Sequence, residues 1–132
     1  MVVKTRTQKY AHQALECVDT LIKDKNNLAK EYKSRANGFS VMVMQAGLAQ
    51  ALGFLMAKSP DAAYAAYFDD LAKVLNAGGS VAANNGEALQ IKVLAAPLAE
   101  YRLLTRETLL AAGWIKRFAQ AKIKTKKEGE NQ

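Results

Sequence analysis

The sequence predicts an all-α fold, a compact single-domain bundle of about six helices, spanning 1–122 and followed by a basic tail over 123–132. Two observations predict it. Apolar residues recur every three or four positions along most of the chain, the period of one helix face. Clusters of Gly, Asn, Ser and Pro interrupt that period at intervals, and no segment alternates polar and apolar residues as a half-buried strand does. At 132 residues, half of them apolar, the chain can bury a real core.

The first helix carries Tyr10, Ala14, Cys17, Val18 and Leu21 on one stripe, widened by Ala11, Leu15 and Ile22. Thr5 or Thr7 is placed to cap it. "KDKNN" (23–27) ends it. A second segment starts near Asn27, with Leu28, Tyr32 and Ala36 on one face, and "ANGFS" (36–40) reads as a break. The stretch "VMVMQAGLAQALGFLMA" (41–57) then reads as a third helix with no charge in it. Seventeen helical residues reach roughly 26 Å, short of a hydrocarbon core of about 30 Å, and Ala, Gly and two glutamines gain little from lipid. It is therefore expected to be a central core helix rather than a membrane span. Its glycines, Gly47 and Gly53, are expected where neighbouring helices cross closely.

Ser59 and Pro60 read as N-cap and first residue of a fourth helix bearing Ala63, Tyr64, Tyr67, Phe68, Leu71 and Leu75. "NAGGSVAANNG" (76–86) is a loop. A shorter helix follows over about 87–96, ended or kinked by Pro97. In the last helix Thr105 is the expected cap and Glu107 the complement to the dipole. There Leu110, Ile115, Phe118 and Trp114 are expected inward, with Lys116 and Arg117 partly outward.

Few residues can do chemistry. His12 is the one histidine and Cys17 the one cysteine. Five residues apart on a helix, they point about 140° apart and cannot form a dyad. A single cysteine makes no internal disulfide, which suits a reducing, cytoplasmic setting. Asp69 and Asp70 read as a solvated charged face. No zinc ligand set is legible, and the Gly/Asn loop has neither the preceding strand nor the Lys-Ser/Thr of a phosphate-binding loop. No basic segment leading into an apolar one stands at the N-terminus, so no secretory signal is expected. These readings point away from an enzyme, a cofactor or a small-molecule substrate, although a pocket of Tyr, Arg and Lys can be assembled in ways a sequence hides.

Charge is unevenly placed. The chain carries +7 overall, made up of +4 over 1–40, −2 over 41–100 and +5 over 101–132. Packing of the first helix against the last would gather a basic face suited to phosphates or to acidic protein surfaces.

"YKSRANGFSVMVMQAGLAQALGFL" and "YRLLTRETLLAAGWIKRFAQA" resemble the small helical subunit of type III-B, Cmr-type CRISPR effector complexes. The likeness lies in the Tyr-Lys-Ser opening, the Gly-Leu-x-Gln-x-Leu-x-Phe helix and the closing Leu-Thr-x-Glu … Trp-Ile-Lys-Arg-Phe-Ala helix, in that order. With "YAHQALECV" it covers most of the chain. The resemblance implies a non-catalytic cytoplasmic subunit, several copies of which stack beside the backbone subunits that hold the guide RNA. It further implies a basic face along the channel where target RNA pairs with the guide. On that reading Arg102, Arg106, Lys116 and Arg117 contact RNA backbone, and Lys30, Lys33 and Arg35 form a second group. The partners are then guide RNA, target RNA, other subunits and copies of the chain itself, with no membrane and no metal. Trp114, in apolar surroundings, reads as packing, with stacking on a base as the alternative. The rival reading is a helical adaptor whose basic face meets acidic proteins.

Overall fold

The computed structural model describes residues 3–124. Six α-helices follow in order: α1 (Arg6–Asp24), α2 (Ala29–Ala46), α3 (Leu48–Lys58), α4 (Ala62–Ala77), α5 (Gly86–Ala95) and α6 (Leu98–Lys122), with a short 3₁₀ turn at Asn26–Leu28. No strand occurs among the described residues. The expected tail, from residue 125 on, lies outside them. Of its first residues, Ile123 is buried in the core.

α1 forms as its sequence dictates. Thr5 accepts from the Gln8 N–H at 3.0 Å, and the Gln8 side chain accepts from the Thr5 N–H at 2.8 Å. This reciprocal box satisfies two donors that the first turn would leave unpaired. The buried residues are the stripe Tyr10, Ala14, Cys17, Val18 and Leu21.

The next helices differ from expectation, and the reason is packing. "ANGFS" does not break the chain; α2 runs through it. Tyr32, Ala36, Phe39 and Val43 are all buried on one continuous stripe. A glycine inside a helix costs about 1 kcal/mol, whereas burying Phe39 and Val43 contributes about 1.5–3 kcal/mol each. Gly38 itself faces open space. The chain turns instead at Gly47, whose φ of +88° is left-handed and favours glycine. So 41–57 is not one helix: it supplies the end of α2 and most of α3.

Nor is it the buried centre. Leu48, Ala51, Leu52 and Leu55 are buried, but Met44 is 79% exposed and Val41, Phe54 and Met56 also reach solvent. The centre is α4, which packs against all five other helices. Tyr67, Phe68, Leu71, Ala72, Val74 and Leu75 are buried along it. The expected close crossings at Gly47 and Gly53 are ordinary contacts, to the Tyr101 hydroxyl at 3.6 Å and the Gln90 side chain at 3.7 Å. The tight approaches lie elsewhere, where Gly78 meets the Tyr10 ring and Gly86 the Phe68 ring.

Capping also differs. Ser59 closes α3, its hydroxyl donating to the Met56 carbonyl at 2.7 Å. Asp61 caps α4, accepting from the Ala63 and Tyr64 N–H groups. α6 begins directly after Pro97, so Thr105 lies inside the helix and donates to the Tyr101 carbonyl at 2.9 Å. Asp70 is not on a solvated face. It is only 8% exposed and accepts from the Tyr32 hydroxyl at 2.7 Å. Asp69 accepts from the Gly86 N–H at the start of α5, at 2.9 Å.

Two outcomes are expected from the glycines. Gly47→Ala forces an L side chain into a left-handed conformation and should lower unfolding stability by about 1–3 kcal/mol in urea titrations. Gly38→Ala should raise it by about 0.5–1 kcal/mol. Burial pushes the Asp70 carboxyl above its usual range, an effect partly offset by the Tyr32 hydrogen bond and by Lys73. A raised native pKa means that the native state binds the proton more tightly than the unfolded chain. The group therefore disfavours folding above its native pKa, and that cost fades as pH falls through it. Asp70→Asn, which still accepts from Tyr32, should match or exceed the original stability at pH 7, and its advantage should shrink in acid.

Candidate nucleic-acid interface

The packing of α6 decides which of its charges face outward. Leu104, Glu107, Thr108, Ala111, Ala112, Ile115 and Ala119 are buried. At about 100° per residue, Arg102, Arg106, Lys116 and Arg117 fall within about 100° of one another on the opposite side. All but Lys116 are exposed, and Lys116 is partly so. The four span about 22 Å of helix.

No carboxylate of α6 falls on this face. Glu107 is the one acidic residue between Tyr101 and Lys122. Expected at the helix N-terminus, it is instead turned inward, 5% exposed. There it accepts from the Tyr10 hydroxyl at 2.9 Å and from Arg6 at 3.3 Å. The Tyr10 hydroxyl also meets that of Ser80. Burial pushes the Tyr10 phenol up to about 12, so it remains a donor at neutral pH. The inward pairing of Glu107 depends on α1 lying against α6, a contact that the α6 sequence by itself does not reveal.

Between the cations lie Leu103 and Leu110, both exposed, with Leu98 at the start of the helix. Leu110 was expected inward; its place on the turn falls on the charged side. Ile115 is buried as expected. Trp114 and Phe118 are half-buried and stacked, with centroids 5.7 Å apart and planes at 24°. The Arg117 guanidinium sits 5.3 Å from the Trp114 centroid.

The second predicted group does not come together. Lys30 is exposed at the start of α2. Lys33 is buried, and its ammonium donates to the Ile123 carbonyl at 2.9 Å, joining α2 to the end of α6. Arg35 stands about 200° round the helix from Lys33 and lies over the Tyr64 ring, 4.3 Å from its centroid. A basic cluster in sequence thus becomes three different environments. Spacing alone carried the signal: residues two apart on a helix diverge.

Reactive groups are dispersed. Among the described residues no three or more His, Cys, Asp and Glu side chains are grouped to hold a metal ion. His12 is exposed beside Glu16, 4.0 Å away. A cleft of about 300 Å³ between α1 and α4 is lined by Cys17, Asp69, Asp70 and Lys73 among others. Burial raises the Cys17 thiol to about 12, which keeps it protonated and unreactive at neutral pH. No helix of the described residues is long and apolar enough to cross a membrane.

Removing the buried acceptor should be felt throughout the α1–α6 contact. Glu107→Ala leaves the Tyr10 hydroxyl with Ser80 as its partner and should cost about 1–3 kcal/mol by thermal or urea unfolding.

A family model described as CRISPR-associated protein (Cas_Cmr5) matches residues 6–122, the span from the first residue of α1 to the last of α6. The CRISPR system Cmr subunit Cmr5 of Thermus thermophilus is 40% identical over 121 residues, covering 92% of this chain and 98% of that protein. The crystal structure of a CRISPR-associated Cmr5 family protein from Thermus thermophilus superposes with a TM-score of 0.79. That match, at 40% identity, covers 92% of this chain and all of the other.

Proposed function

Because the chain belongs to the Cmr5 family of CRISPR-associated proteins, we propose that it is the non-catalytic small subunit of a type III-B effector complex. In this reading copies of it stack in the cytoplasm beside the subunits that hold the guide RNA, and the outer face of α6 contacts the backbone of target RNA paired with the guide.

The observation that carries the reading is the unbroken cationic face of α6, with the helix's one inner carboxylate turned into the core. Arg102, Arg106 and Arg117 present planar guanidinium groups, which match phosphate oxygens in pairs. Such contacts supply affinity without reading bases, which a subunit serving any guide requires. Lys33, being buried, has no part in this face. The exposed apolar residues Met44, Ile91, Leu94 and Leu98 support contacts with neighbouring subunits. The dispersal of His12, Cys17 and the carboxylates supports leaving RNA cleavage to other subunits.

Four phosphate contacts should give a log–log salt slope of roughly −3 for single strands, since each contributes about −0.7. Arg102→Ala with Arg117→Ala should flatten it by about 1–1.5 and leave the unfolding midpoint nearly unchanged, because exposed charges add little stability. In the assembled complex the pair should weaken target capture equally for every guide. A slope unaltered by the double substitution, or capture lost for some sequences alone, would remove α6 from the RNA path and favour an adaptor that meets acidic proteins.

A further inference from the structure

Away from the α6 face, three helices build a ladder of cations and rings. The Arg35 guanidinium of α2 lies 4.3 Å from the centroid of Tyr64 on α4. Tyr64 meets Phe54 of α3 edge to face, with centroids 5.9 Å apart and planes at 68°. The Lys58 ammonium lies 5.8 Å from the Phe54 centroid. Phe54 is 38% exposed, Tyr64 and Arg35 are half-buried, and Lys58 is exposed.

Two features of this ladder are unfavourable in the chain alone. A phenylalanine ring stands partly in water. The buried Nε of Arg35 has no hydrogen-bond partner among the described residues. The nearest acid along the chain from Lys58 is already engaged: Asp61 accepts from the Ala63 and Tyr64 N–H groups at 3.0 and 3.4 Å. The ladder therefore offers π surface and positive charge with that acid committed to a helix cap.

We propose that Phe54, Tyr64 and Arg35 form a stacking site for an unpaired base of single-stranded RNA, with Lys58 and Arg35 reaching the adjoining phosphate. A flat base covers the exposed Phe54 ring, and its phosphate supplies an anion that neither cation finds among the described residues. An apolar peptide would cover the ring but would desolvate both cations without an anion in return. The site is separate from α6. Lys33 and Asn37 are α2 residues that turn to the end of α6, and Arg35 points about 160–200° away from both. The proposal shares with the functional reading only the nature of the ligand, RNA.

The test uses the full chain, isotope-labelled for NMR, with adenosine 5′-monophosphate and ribose 5-phosphate as probes. The nucleotide should shift the Phe54 and Tyr64 ring signals and the Arg35 Nε–H. It should bind at least about fivefold more tightly than the sugar phosphate, the contribution expected of one stacked base. Phe54→Leu, its fold checked by the amide spectrum, should abolish that preference. Lys58→Gln should weaken both probes and keep their ratio. The Arg102→Ala/Arg117→Ala protein should retain the preference in full, so that failure at this site and failure at α6 are told apart. Equal affinity for the two probes, ring shifts confined to Trp114, or a preference that survives Phe54→Leu would overturn the proposal.

Discussion

Each outer helix has one stripe to bury, and α4 is the surface that all five share. Its position requires it to be apolar nearly all round, which explains why Tyr67, Phe68, Leu71, Ala72, Val74 and Leu75 are all covered. Of the polar groups buried on it, the Asp70 carboxylate is partnered by Tyr32, whereas the Tyr67 hydroxyl has no hydrogen-bond partner among the described residues. The Tyr32 ring in turn meets Tyr67 edge to face, with centroids 5.6 Å apart, and Phe39 meets Tyr67 at the same distance. One carboxylate and three rings thus set how α2 lies on α4. With α2 and α1 fixed on α4, α6 has one groove left to fill, and its outward side follows from that.

The outward side is where packing becomes electrostatics. A helix cannot display a purely cationic face if its own acid shares the surface. Drawing Glu107 inward satisfies the buried Tyr10 hydroxyl and takes a negative charge off the α6 surface. Arg6 of α1, which pairs with it at 3.3 Å, ties the two helices together. The same side chain therefore serves the core and shapes the field outside it.

Much of this was legible in the sequence, and the exceptions have physical reasons. The stripe of α1 could be read because period and burial coincide there. The loop over 76–86 could be read because Gly and Asn cluster. A break at Gly38 does not form because local propensity at 36–40 is overridden by a stripe that continues to Val43, whereas the φ at Gly47 reflects tertiary geometry that composition does not encode. Asp61 caps α4 in place of Ser59 because both are good caps and the choice depends on where α3 ends. At the candidate interface, the α6 cations could be placed from periodicity once the core stripe was known. Lys33 could not, since its burial depends on Ile123, far along the chain, folding back over α2. The Arg35, Tyr64, Phe54 and Lys58 ladder was equally hidden, being assembled from three helices.

The leucines set among the α6 cations have a consequence for colloidal behaviour. At about 0.1 M salt the like charges of two approaching copies repel over about 10 Å, far enough to keep Leu103 and Leu110 of one molecule from those of another. Raising salt towards about 1 M shortens that reach to about 3 Å, within the range at which apolar side chains meet. The face is thus dispersive when bare and adhesive when neutralised. On the proposed reading, RNA laid along the face would do locally what concentrated salt does in bulk.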